Sequence, residues 1–224
     1  MSGQSHIPIL LTRAAAQNAR FAARLTGRIV QSPLAEVRFL NPDLPLADCA
    51  IFTSENAVHA LRGRLPAPRA WCVGDRTAEV ARRAGFQAWS ASGDADALVA
   101  AILAAPPGRC LHLRGRETRG DVAARLNAAG IPCAEAVVYD IVPLPPTPEA
   151  LALLDGAEPV IVPLFSPASA RRFAQVPARA PLRLACLSPA VAAAAPPAAE
   201  VRIAAEPTAA AMIDLLAAMQ SLET

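Results

Sequence analysis

The sequence contains no lysine: all 21 of its Lys and Arg residues are arginine. That absence excludes a lysine Schiff base with a carbonyl substrate or pyridoxal phosphate. It also excludes the lysine of a P-loop and the ATP-pairing lysine of a kinase. Aromatic residues make up only 4% of the chain, and Tyr139 is the sole tyrosine. No CxxC occurs, and His6, His59 and His112 adjoin neither a cysteine pair nor one another in sequence, so no metal site is expected. The GxSxG, GxGxxG and HExxH patterns are missing, as are carboxylates at catalytic spacing. Gly115-x4-Gly120-Asp121 has the glycine spacing of a P-loop without its lysine. No apolar run reaches 18 residues, because Pro189, Pro196 and Pro197 interrupt the alanine-rich 190s. The N-terminus shows no basic segment leading into an apolar one. A soluble cytoplasmic protein with no membrane partner is expected.

What is present favours a packed α/β protein. Apolar residues form 54% of the 224 positions and charged ones 18%, enough for one large or two small cores. A net charge of +2 gives no reason to expect a nucleic-acid partner. Cys49, Cys72, Cys110, Cys133 and Cys186 are scattered, most of them in apolar runs, as buried thiols in a reducing compartment would be. Short apolar runs alternate with helical patterns. Strands are expected at Ile7–Leu11, Arg28–Val30, Cys49–Phe52, Trp71–Val73, Leu111–Leu113, Val137–Val142, Val160–Leu164, Arg183–Leu187 and Val201–Ala204. Helices are expected over 14–25, from about 55 to 62, and over 77–84, 98–103, 121–129 and 208–219, with further ones after the strands ending at 164 and 187.

Two kinds of unit each occur twice. Leu10-Leu11-Thr12-Arg13 with Ala23-Arg24-Leu25 returns as Leu111-His112-Leu113-Arg114 with Ala124-Arg125-Leu126. Phe52-Thr53-Ser54 and Cys72-Val73-Gly74 return as Phe165-Ser166 and Cys186-Leu187-Ser188 with similar onward spacing. The ordered offsets indicate two lobes, each a parallel sheet flanked by helices, with a cleft between them. In each unit a hydroxyl residue, a glycine or an arginine stands at a strand's C-terminal end before a helix. These ends attract anions through free N–H groups and helix dipoles. The candidate binding residues are Thr12, Arg13, Thr53, Ser54, Gly74, Thr77, Arg114, Gly115, Arg116, Ser166, Ser169 and Ser188. Arg13, Arg114 and Arg116 suit carboxylates or phosphates. The hydroxyl residues could instead be plain N-caps. Arg62, Arg64, Arg82-Arg83 and Arg171-Arg172 read as solvated helix faces, and His59 and His112 as structural. Without an acid–base set, catalysis would rest on positioning a reactive substrate.

The ordered series Leu11-Thr12-Arg13, Ile51-Phe52-Thr53-Ser54-x-Asn56-Ala57-Val58, Val73-Gly74-x-x-Thr77-Ala78, Arg114-Gly115, Val137-Val138-Tyr139, Phe165-Ser166-Pro167-x-Ser169-Ala170, Leu187-Ser188-Pro189-x-Val191-Ala192 and Ala205-x-Pro207-Thr208 resembles the uroporphyrinogen-III synthase family. The resemblance implies a bilobal fold with one discontinuous lobe (1–33 and 143–224), a second over 37–139, and extended crossovers at about 31–36 and 138–143. It implies a cofactor-free cyclising lyase acting on the linear tetrapyrrole hydroxymethylbilane, closing it with inversion of the fourth ring and loss of water through a spiro intermediate. Tyr139 matches the family tyrosine that assists departure of the hydroxyl, and is the expected catalytic residue. A monomer is expected. The chain departs from the family at Ala190 and Val191, where many members carry threonine, and at Leu164-Phe165 before Ser166. Two other readings of the residues are a two-lobed binding protein for an anionic metabolite and a two-lobed sugar-nucleotide-dependent transferase. The transferase reading lacks an acidic metal-binding motif.

Overall fold

Alternate residues of the short apolar runs face opposite ways, so a run buried along its whole length needs helices on both sides of its sheet. A computed structural model describes residues 7–117 and 120–220. His6, the two ends of the expected discontinuous lobe, and positions 118 and 119 of the Gly115–Gly120 stretch lie outside the described residues. The chain divides into two compact units. One holds the residues up to Glu36 and from Pro143 onward, and the other is Val37–Val142.

The first unit contains β1 (Ile9–Leu11), α1 (Ala15–Ala22) and β2 (Ile29–Gln31) from the start of the chain. From its later part come α6 (Pro148–Leu154), β9 (Val160–Leu164), α7 (Pro167–Phe173), β10 (Leu182–Cys186), α8 (Pro189–Ala192), β11 (Glu200–Ile203) and α9 (Ala209–Gln220). Its sheet has the order β11-β10-β9-β1-β2 with parallel pairing throughout. Leu10, Val160, Val162 and Leu184 pack into one layer, and Ile9, Leu11, Ile161 and Ala185 into the other.

The second unit contains β4 (Cys49–Phe52), α2 (Glu55–Ala60), β5 (Arg69–Cys72), α3 (Asp75–Arg83), β6 (Gln87–Ser90), α4 (Ala95–Ala104), β7 (Cys110–Gly115) and α5 (Val122–Ala128). Two strands, β3 (Ala35–Phe39) and β8 (Cys133–Pro143), carry the chain across the unit boundary. The sheet order is β3-β8-β7-β4-β5-β6. The pairs from β8 to β6 are parallel. The Leu40 N–H donates to the Val138 carbonyl, and that of Leu144 to the Leu34 carbonyl. One index rises as the other falls, so β3 runs antiparallel to β8 and the sheet is mixed at that edge. Cys49, Cys110 and Cys133 are in register across β4, β7 and β8. All five thiols are free and buried, as expected. Burial pushes those of Cys49, Cys72 and Cys133 up to about 12, so they stay protonated.

Two elements carry no clear periodic signal. Strand β6 is a four-residue edge strand reading Gln-Ala-Trp-Ser, and α6 begins in a proline-rich stretch. Pro148 opens α6 where its missing N–H costs nothing, and the Thr147 hydroxyl accepts from the Ala150 N–H. The first helix ends at Ala22 rather than Leu25. Gly85 and Gly130, at φ +100° and +83°, follow α3 and α5 in the left-handed conformation that closes a helix.

Candidate functional site

In a parallel sheet every strand's C-terminal end lies on one edge, so the sequence order of the candidates becomes a spatial grouping. In the first unit β9 lies between β1 and β10. Thr12 and Arg13 after β1, Ser166 and Ser169 after β9, and Ser188 after β10 therefore share an edge. In the second unit β4 lies between β7 and β5. Thr53, Ser54, Gly74, Thr77, Arg114, Gly115 and Arg116 share that unit's edge, with Tyr139 on the neighbouring β8.

At the first edge the Arg13 N–H donates to the Asn18 side-chain oxygen (3.1 Å), and the Asn18 amide donates to the Leu11 carbonyl (3.0 Å). Asn18 is fully buried and ties the turn after β1 to the start of α1. The Arg13 guanidinium lies 4.2 Å over the ring of Phe165, which meets Phe21 edge-on at 5.0 Å. The apolar departure at position 165 thus supplies a platform for an arginine. Val191 packs into the core of this unit, where a hydroxyl would have no water. Ser166 and Ser169 form a reciprocal capping box: the Ser169 N–H donates to Ser166 Oγ (3.1 Å) and the Ser166 N–H to Ser169 Oγ (3.0 Å). Ser188 stands at the N-cap of α8 without a side-chain cap bond.

At the second edge Ser54 caps α2, accepting from the Asn56 N–H (3.2 Å). Gly74 occupies the N-cap of α3 with no side-chain cap bond, and Thr77 is buried in that helix's first turn. Arg114 is engaged from within. Its Nη1 donates to the carbonyls of Gly115 (3.0 Å) and Arg116 (3.1 Å), and its Nη2 to Glu135 (3.1 Å). Arg116 pairs with Asp140 at 2.7 Å but is 62% exposed. The Arg116 hydrogen bond holds the Asp140 carboxyl below its ordinary range. Tyr139 packs under Gly115, where a Cβ would stand 2.7 Å from Cζ and 3.0 Å from Oη. Only a glycine admits the ring, and a register shift between Arg114 and Gly115 sets Tyr139 opposite it.

His112, expected from the sequence to be structural, and Glu135, which the sequence did not single out, complete this edge. His112 is fully buried, with Nε2 3.5 Å from Thr53 Oγ1 and Nδ1 3.3 Å from Glu135 Oε1. Burial lowers its pKa against the opposing pull of Glu135. The Arg114 hydrogen bond and charge, with those of His112, outweigh burial at Glu135 and hold its carboxyl below the usual range. Arg64 also differs from the expected solvated face: it donates to the Pro42 carbonyl (2.9 Å) and is partly buried. A groove of about 420 Å³ beside Leu151, Asp155 and Arg179 includes none of the candidates. Among the described residues no group of His, Cys, Asp and Glu is arranged to hold a metal ion. No helix among them is long and apolar enough to cross a membrane.

Duplicated parallel α/β units with hydroxyl-bearing and cationic strand ends define a class of protein that suits anionic organic ligands. Within that class the chain belongs to the uroporphyrinogen-III synthase family: the family model, described as uroporphyrinogen-III synthase HemD, matches residues 19–214. Its activity is that of a cyclising lyase of tetrapyrrole biosynthesis. The fold is similar to that of uroporphyrinogen-III synthetase from Helicobacter pylori 26695, at 18% identity and TM-score 0.68, over 95% of this chain and 99% of that one. It is also similar to a mutant uroporphyrinogen III synthase from the extremely thermophilic bacterium Thermus thermophilus, at 13% identity and TM-score 0.56, over 96% of this chain and 99% of that one. No curated protein matches the sequence.

Proposed function

We propose that the two strand-end edges bind hydroxymethylbilane and that Tyr139 acts on its leaving hydroxyl. The substrate carries eight carboxylates and generates its own electrophile: loss of the hydroxyl leaves an azafulvene. Attack on that carbon from a substituted pyrrole position gives the spiro intermediate, which fragments and recloses with the fourth ring inverted. The protein's task is to hold the chain so that this route beats direct closure to the type I isomer. The observation that supports the reading is the seating of the Tyr139 ring against Gly115, the last residue of β7.

Arg13 and Arg116 are the proposed carboxylate partners. Arg116 meets Asp140 only in an exposed pair, and such a pair exchanges partners at little cost. Arg114, spent on Glu135 and on two backbone carbonyls, shapes the turn instead. The uncapped start of α3 at Gly74 offers backbone N–H groups to a further carboxylate. The proposed chemistry draws on no cofactor or metal, and the chain is proposed to act as a cytoplasmic monomer. Its five free cysteines agree with a reducing compartment. The test is to supply hydroxymethylbilane, oxidise the products and resolve the isomers. Accumulation of the type III macrocycle is expected, and type I alone would sink the reading.

A further inference from the structure

A hydroxyl, an imidazole and a carboxylate stand in line across three adjacent strands of the second unit. Residues 51 and 53 of the β4 segment share a face, and so do 112 and 114 of β7. Ile51 is in register with His112, and His112 with Glu135. Thr53 Oγ1, at the end of β4, therefore reaches His112 Nε2 at 3.5 Å, while Nδ1 of the same ring reaches Glu135 at 3.3 Å and Glu135 is held by Arg114 at 3.0 Å. The surroundings of this face are otherwise apolar: Cys49, Ile51, Leu98, Ile102 and Leu126 pack against it. The charged groups that act on the ring are Glu135 from β8 and Arg114 from β7. Glu135 is 36% exposed, so its pair with the buried imidazole is screened by solvent and adds little stability, which gives no structural reason for it.

The direction of each hydrogen bond follows from charge. An ionised Glu135 can only accept, so the proton of a neutral imidazole sits on Nδ1 and Nε2 is bare. A bare Nε2 must in turn receive the Thr53 hydroxyl proton. We propose that His112 and Glu135 are positioning residues that turn the Thr53 hydroxyl into a hydrogen-bond acceptor, its lone pairs facing the strand end to receive a pyrrole N–H of the linear tetrapyrrole rather than one of its carboxylates. The inference rests on reading these strand ends as substrate-bearing. The separations are long, as such contacts often are before substrate tightens them.

The first test is the tautomer. In a long-range proton–nitrogen spectrum of the full-length, nitrogen-15-labelled chain at neutral pH, His112 is assigned by its loss in His112→Gln. It should carry its proton on Nδ1. A proton on Nε2, or on both nitrogens, overturns the proposal. The second test is Glu135→Gln, which keeps a carbonyl oxygen for Arg114 but donates an N–H to Nδ1. It should move the imidazole proton to Nε2, turn Thr53 outward as a donor, and lower kcat about tenfold with KM little changed, the rate equivalent of one hydrogen bond. Thr53→Val should show the same loss and Thr53→Ser should recover activity. A Glu135→Gln protein with the moved proton and wild-type kcat defeats the relay while leaving the strand-end reading intact. Wild-type turnover in Thr53→Val overturns the role given to Thr53 and the relay with it, whereas the strand-end reading fails only if the wild-type chain yields the type I isomer alone. Should Glu135→Gln fail to fold, the wild-type tautomer still decides.

Discussion

The ring of Tyr139 occupies the space that any side chain at position 115 would need. Gly115→Ala forces the two apart in a packed core, so a loss of about 1–3 kcal/mol in urea unfolding is expected, together with slower formation of the type III isomer. Tyr139→Phe keeps the ring and its packing. Its Tm should stay close to wild type while kcat falls by about 100-fold, the scale of a lost proton-transfer group. Wild-type turnover in that variant would return Tyr139 to a purely structural role. Phe165 acts through its ring face instead. Phe165→Leu keeps apolar bulk beside Phe21 but removes the π-face under Arg13, and KM should rise about 2- to 5-fold, the value of one exposed cation–π contact. Tyr139 and Arg13 stand out in the sequence by type and place. Gly115's steric role and Phe165's platform do not, because each depends on a residue from a distant segment.

At the scale of elements, the serines at strand ends separate into caps and open hydroxyls. Ser166 is committed to the capping box of α7, whereas Ser188 makes no side-chain cap bond. Ser166→Ala should therefore cost about 1 kcal/mol of stability and leave turnover largely intact. Ser188→Ala should change stability by no more than about 0.5 kcal/mol, and any loss of turnover would mark a substrate contact. The two serines look alike in sequence, since both precede a proline and a short helix. The strands with continuous apolar runs were legible, as were helices closed by glycine. Strand β6 and helix α6 were not: one is a short edge strand with half its residues in water, and the other is masked by prolines that serve as helix starters.

Across the whole molecule, the pH dependence of stability near neutrality is expected to come from His112, since the carboxylates with lowered values act at lower pH. Burial in the folded chain resists protonation of the imidazole, while the unfolded chain takes up a proton near the ordinary value of 6.5. The unfolded state thus binds more protons as pH falls below that value, and the contribution present above it is lost downward. The urea midpoint should drop between about pH 7.5 and 5.5, and His112→Gln should flatten that dependence. The sequence alone determined the α/β class, the duplicated units, the buried thiols and the family resemblance. These follow from local periodicity, repeat spacing and ordered short motifs, all written along the chain. Tertiary structure decided which arginines are already spent, why position 115 must be glycine, and how Thr53, His112 and Glu135 come into line. Those facts depend on strand order and register, which bring residues 53, 112 and 135 onto neighbouring strands, and no short stretch of sequence encodes that adjacency.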